Sequence, residues 1–162
     1  MDLKVSLLIG RASNEILAAR ALKKISDEPG LKQQIEFPAE TTFYSNVISN
    51  SYYSIFYSAK AYLLSKKITV LSEQGQHQFV YFKFRKLVEE GIVEKELLRI
   101  YDEVKGRAEA LLEILKSERE KRKDFTYETL PQANKQPAED SLNNAVHFLS
   151  HIKELLRTEG GR

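Results

Sequence analysis

The chain has 162 residues, with 42% hydrophobic and 30% charged side chains and a formal net charge of +2. That length fits one domain (residues 1–162) with a sizeable core, and the composition excludes a disordered chain. Cysteine is absent, which removes disulfides, thiolate nucleophiles and thiolate metal sites.

No run of about 18 apolar residues is present, so no membrane helix is expected. The start, Met1 to Arg11, is too short and too quickly charged for a signal peptide. A cytoplasmic location is the expectation. The small net charge neither demands nor excludes nucleic acid.

Hydrophobic spacing predicts about five helices and an all-α chain. The first spans roughly 3–26, with Val5, Leu8, Ile9, Ala12, Ile16 and Ala19 on one face. Ser26-Asp-Glu-Pro-Gly30 stops it, and a loop holding Pro29, Gly30 and Pro38 follows. The second helix spans roughly 40–66, with Thr41 or Thr42 as its cap. Its apolar face is Ile48, Tyr52, Ile55, Phe56, Ala59 and Leu63. A parallel stripe of Ser51, Ser54 and Ser58 reads as a close-packing face; a hydroxyl-rich ligand site and a dimer contact are the alternatives.

The third helix spans roughly 74–90 and stops at Gly91; the Ile68–Ser72 segment before it reads as a loop. Phe79, Phe82 and Lys86 share one of its faces, with which Lys83, Phe84 and Arg85 do not line up. Aromatic residues crowd the second and third helices, so the two are expected to face each other. The fourth helix spans roughly 93–123, with Gly106 in its middle as a close contact, a bend or a neutral position. The fifth spans roughly 138–157, with Leu142, Ala145, Val146, Leu149, Ile152 and Leu156 inward. Residues 158–162 are expected to fray.

The segment from Lys116 to Tyr127 carries the strongest functional signal. The apolar stripe Val104, Ala108, Leu111, Leu112, Leu115 continues in helical phase to Arg119 and Arg122. Guanidinium groups there suit a phosphate bidentately. An ion pair with Glu118, Asp124 or a neighbouring carboxylate fits the same spacing, and a helix C-terminus favours cations without any function.

His147 and His151 stand at i, i+4, a spacing compatible with metal ligation, but His147 is not followed by the glutamate of a zinc-protease helix. They read first as a polar helix flank, and no metal is expected. His77 opens the third helix and is expected to cap or pair locally. There is no phosphate-cradling glycine loop, no dinucleotide fingerprint and no nucleophile elbow. Tyr81-Phe-Lys-Phe-Arg-Lys86 alternates aromatic and basic residues, but half-burial of the helix accounts for it.

The stretch Asn50-Ser-Tyr-Tyr-Ser-Ile-Phe-Tyr-Ser-Ala-Lys-Ala-Tyr-Leu-Leu-Ser-Lys-Lys-Ile68, then Gln76-His77-Gln-Phe79, Asp124-Phe125 and Ala138–Leu149, resembles the HEPN superfamily over about residues 45–157. The closest branch is the one associated with minimal nucleotidyltransferases. The resemblance implies an all-α, up-and-down helical bundle that forms a homodimer and is linked to nucleotides or RNA, with a nucleotidyltransferase partner in a toxin–antitoxin system. Nuclease members carry an arginine followed after four to six residues by histidine. Here Tyr127 stands where that histidine would follow Arg122, and a tyrosine is a poor base at neutral pH. The expectation is a non-catalytic module without cofactor that binds through Arg119, Arg122, Tyr127 and Asp124. A ribonuclease toxin with a variant motif and a structural adaptor are the alternatives.

Overall fold

The computed structural model describes the backbone of residues 2–120 and 134–159 and the side chains of residues 2–113 and 134–159. The described residues form α1 (Leu3–Asp27), α2 (Pro29–Gln34), α3 (Tyr44–Ser65), α4 (Gln76–Glu89), α5 (Lys95–Glu120) and α6 (Lys135–Glu159), with no strand among them. The all-helical bundle stands, with six helices where five are read from the sequence. The extra one, α2, is a six-residue turn that starts on Pro29, whose fixed φ suits a first helical position. It is too short for any apolar period to betray it.

The four long helices pack up and down. Ser54 of α3 meets Ala12 of α1, while Phe43 and Tyr44 meet Ser26 and Asp27, so α1 and α3 are antiparallel. Arg107 with Ser141 and Tyr101 with Phe148 set α5 antiparallel to α6. Lys23 with Glu139 closes α6 back on α1. The central helix is α3, which packs against α1, α4, α5 and α6. Its sequence explains this place: Val47, Ile48, Ser51, Ser54, Ile55, Phe56, Ser58, Ala59, Ala61, Tyr62 and Leu63 are all buried. Apolar and small residues thus surround the helix, as burial on several sides requires.

The serine stripe is a close-packing face. Ser51, Ser54 and Ser58 are fully buried. Ser51 and Ser58 return their hydroxyls to carbonyls one turn back, and Ser54 donates across to the Ala12 carbonyl at 2.9 Å. No hydroxyl is left for a ligand.

Several local expectations are corrected. Helix α3 begins at Tyr44, so Phe43, and not Thr41 or Thr42, holds the N-cap position. The chain enters α3 by another route. Ser26 Oγ accepts from the Phe43 amide at 2.7 Å, and Tyr44 donates to Asp27 at 2.6 Å. The buried Lys32 reaches the Ala39 carbonyl at 2.9 Å and ties down the intervening loop. On α4 the buried residues are Val80, Phe84, Leu87 and Val88, while Phe82 is exposed, so the inward face is rotated from the Phe79–Phe82–Lys86 stripe. On α6 Phe148 is fully buried and Val146 only partly. Leu112 of α5, in the expected inward stripe, is 58% exposed. Gly106 is exposed with nothing near its missing side chain, so it marks no close contact.

Gly91 ends the α4 turn with φ of 73°, the left-handed conformation that glycine adopts without strain. Residues 68–72 form a loop. Among the described residues no helix is long and apolar enough to cross a membrane.

Candidate functional site

The two aromatic-rich helices, α3 and α4, pack together, and His77 is the α4 ring that lies against the rings of α3. Gly75, at φ 72°, turns the chain into α4 so that Gln76 and His77 land on α3. Lys60 Nζ donates to Gln76 at 2.9 Å and lies over the Phe56 ring. The His77 ring stacks on Phe56 at 4.0 Å and 18°, with Tyr52 5.8 Å away at 26° and Tyr53 edge-on at 5.8 Å. Residues 52 and 56 are one turn apart, so α3 offers both rings to the imidazole at once.

His77 Nδ1 lies 2.9 Å from the Tyr52 hydroxyl, and which of the two donates depends on the histidine tautomer. Burial, chiefly, pushes the Tyr52 pKa up to about 12, so the hydroxyl keeps its proton. Burial first, and the Lys60 charge second, hold the His77 pKa below its ordinary value, which favours the neutral imidazole near pH 7. Nε2 makes no hydrogen bond to a described residue.

His77 lines an open cleft of about 290 Å³ between α3, α4 and α5. Ser49, Tyr52 and Tyr53 form one wall, and Ala108, Glu109 and Leu112 the other. Tyr53 is 40% exposed and continues into a stacked contact with Tyr57. Glu109 is exposed and paired with Lys105 at 2.7 Å. The cleft therefore offers flat aromatic and aliphatic surface, one imidazole, a serine hydroxyl and a carboxylate acceptor. Those groups suit a planar heterocycle with its own donors and acceptors. They do not suit a phosphate, which Glu109 repels.

Behind the cleft Tyr101 is fully buried among Tyr52, Tyr81, Phe84 and Phe148. Its hydroxyl has no partner among the described residues, and burial raises its pKa well above the ordinary value. An unpaired buried hydroxyl costs about 1–3 kcal/mol. Tyr101→Phe should therefore leave stability unchanged or raise it by about 1 kcal/mol in urea unfolding. A loss larger than about 1 kcal/mol would mean that the hydroxyl has a partner.

The site residues expected from the charged run are not in this cleft's described wall. Arg119 is part of the α5 backbone, but its side chain lies outside the described residues, as do Arg122, Asp124 and Tyr127 altogether. His147 and His151 are near each other, with rings 5.2 Å apart, and His151 faces Glu94 at 3.5 Å. Among the described residues no three potential ligands converge as a metal would need. The sequence does not single out the cleft: Ser49 and Glu109 carry no motif, Tyr52, Tyr53 and His77 belong to one only through the HEPN resemblance, and His77 reads otherwise as a local cap or pair. The available signal was a tyrosine pair on one helix and a histidine two residues after the glycine that opens the next.

Comparison with family models, curated proteins and solved structures found no match to this chain.

Proposed function

We propose that the chain is a HEPN-like helical module that binds a nucleotide or single-stranded RNA, with a base held in the Tyr53–His77 cleft, and does not cleave it. The observation that carries this reading is the His77 imidazole on the cleft wall, its Nε2 without a partner among the described residues, beside the exposed Tyr53 ring. Bases recognised out of a helix are stacked on aromatic rings and hydrogen-bonded along their edges. Ser49, His77 and Glu109 supply the polar partners. Because Glu109 repels phosphate, the phosphates run away from it in this reading. Arg119 lies about 10 Å beyond Leu112 along α5 at 1.5 Å per residue, and Arg119, Arg122, Asp124 and Tyr127 are the residues proposed for the phosphate end. Homodimerisation and a nucleotidyltransferase partner of a toxin–antitoxin pair belong to the same proposal, on the strength of the HEPN resemblance alone.

The test is fluorescence anisotropy of the full chain with a labelled 12-nucleotide RNA and with ATP, at low and rising salt. Tyr53→Ala is expected to weaken binding about 10-fold or more, since stacking contributes about 1–3 kcal/mol per base. Arg119→Ala/Arg122→Ala should flatten the salt dependence, because fewer counterions are released. Absent binding at low salt, or binding indifferent to both Tyr53→Ala and His77→Gln, sinks the proposal.

One observation favours a second reading. A neutral imidazole in an open cleft is also the state a general base requires. RNA cleavage by the purified protein that disappears in His77→Ala would replace the binding module with a metal-independent ribonuclease.

A further inference from the structure

On the opposite side of α3 from α5, helix α1 turns a second apolar face outward. Leu3, Leu7 and Leu17 are 74%, 61% and 59% exposed. With the exposed Gly10, Asn14 and Ala21 they repeat at intervals of four and three residues, the seam spacing of a helix that pairs with another helix. This seam is distinct from the buried Val5–Ile9–Ala12–Ile16–Ala19 face of the same helix. An α1 that served only this bundle would have no reason to keep both.

Grooves flank the seam on both sides. One, of about 410 Å³ between α1 and α3, is lined by Leu7, Leu8 and Leu64 and by Lys4, Arg11 and Lys60. The other, of about 300 Å³ between α1 and α6, has Ile16, Leu17, Val146 and Leu149 on its walls and Arg20 and Lys153 at its edge. Neither groove is lined by a carboxylate. Between Leu3 and Lys24 the helix carries five basic residues, Lys4, Arg11, Arg20, Lys23 and Lys24, and one acid, Glu15. Glu15 lies near Arg11.

We propose that the outward face of α1 is a docking surface for an acidic amphipathic helix of another protein, which seats leucine-like side chains in the grooves and sets its carboxylates against Lys4, Arg11, Arg20, Lys60 and Lys153. The apolar seam selects a helix, and the charge selects its sign. A second copy of the chain fits less well. Antiparallel self-pairing that stacks Leu7 on Leu17 of the other copy places Lys4 beside Arg20. Parallel self-pairing brings no acid to Arg11 or Arg20. RNA fits less well too, because base stacking needs aromatic rings and α1 has none. A bilayer is flat, whereas these grooves are concave and receive side chains.

The probe is a labelled 21-residue peptide with leucine at the seam positions and glutamate at the flanking ones, titrated with the full chain by anisotropy. Its counterpart has lysine in place of glutamate. The acidic peptide is expected to bind and the basic one not. Leu7→Asn/Leu17→Asn should weaken the complex at least 10-fold, and Lys4→Glu/Arg11→Glu should do the same. The altered side chains are exposed, and circular dichroism checks that the fold is retained. Equal binding of both peptides, or of neither, overturns the proposal. So does self-association, RNA binding or capture on anionic phosphatidylserine vesicles that the leucine substitutions abolish. The face is separate from the Tyr53–His77 cleft, and Tyr53→Ala should leave peptide binding unchanged.

Discussion

Phe148→Ala will cost about 3–5 kcal/mol of folding stability, the usual range for a large aromatic removed from a packed core. The ring is fully buried where α4, α5 and α6 meet. It stands at 89° to Tyr101 at 5.9 Å and lies 5.4 Å from Phe84. Aromatic pairs of this kind add about 0.5–1.5 kcal/mol beyond the area they bury. The cavity would open between three helices whose positions are held by other contacts, so collapse into it is limited. Arg107 reaches Ser141 at 3.1 Å, and Tyr81 donates to Asp102 at 2.6 Å. In a chain of this length the loss should lower the melting temperature by roughly 10 °C. Urea unfolding with an unchanged slope checks it, and a loss under 1 kcal/mol would show that the α4–α5–α6 junction is loosely packed.

Ser54→Leu is the second large effect, and its companion Ser54→Ala separates the causes. The Ser54 side chain is fully buried against α1, where Ala12 is buried to the same degree. Removing the hydroxyl alone loses one interhelical hydrogen bond, about 1 kcal/mol. The Ala12 carbonyl remains within its own helix, so no acceptor is stranded. Leucine adds three carbons where two helix backbones nearly touch. It must push α1 from α3 or leave its rotamer, at about 1–3 kcal/mol on top of the lost bond. Denaturant melts of the two variants should therefore differ by at least 1 kcal/mol. If leucine were accepted as readily as alanine, the serine stripe would not be the close-packing face of this bundle.

The same contact shows what a single chain of letters makes legible. Small residues at positions 51, 54 and 58 announce close approach of some helix, because helical spacing keeps them on one side. They do not say which helix comes. That choice depends on long-range contacts such as Ser54 with Ala12, forty-two residues apart. The inward faces of α1, α3 and α5 are likewise legible from period alone, at Val5, Ile9, Ile55, Phe56, Leu97 and Val104. On α4 the period misleads. Phe79 and Phe82 are as apolar as Phe84, and local spacing cannot rank competing stripes. The packing of α4 against Tyr101 and Phe148 ranks them, and it buries Phe84.

Two sites show the division most clearly. The exposed leucines of α1 and its basic flank are written in sequence order, yet they look like surplus hydrophobicity until the buried face is known. The His77 cleft is the reverse case. Its residues come from three helices, spread from Ser49 to Leu112. No local rule links a tyrosine at 52 to an imidazole at 77.

Local periodicity thus determined that this chain is helical, where most of its helices start and stop, and most of the residues on α1, α3, α5 and α6 that turn inward, because a helix repeats every 3.6 residues whatever surrounds it. The tertiary structure alone decided that α3 is the central helix, that Phe84 and Phe148 enter the core while Leu112 does not, and that His77 is held neutral beside an open cleft. Those outcomes depend on desolvation and on contacts between distant segments, and both exist only after the helices have packed.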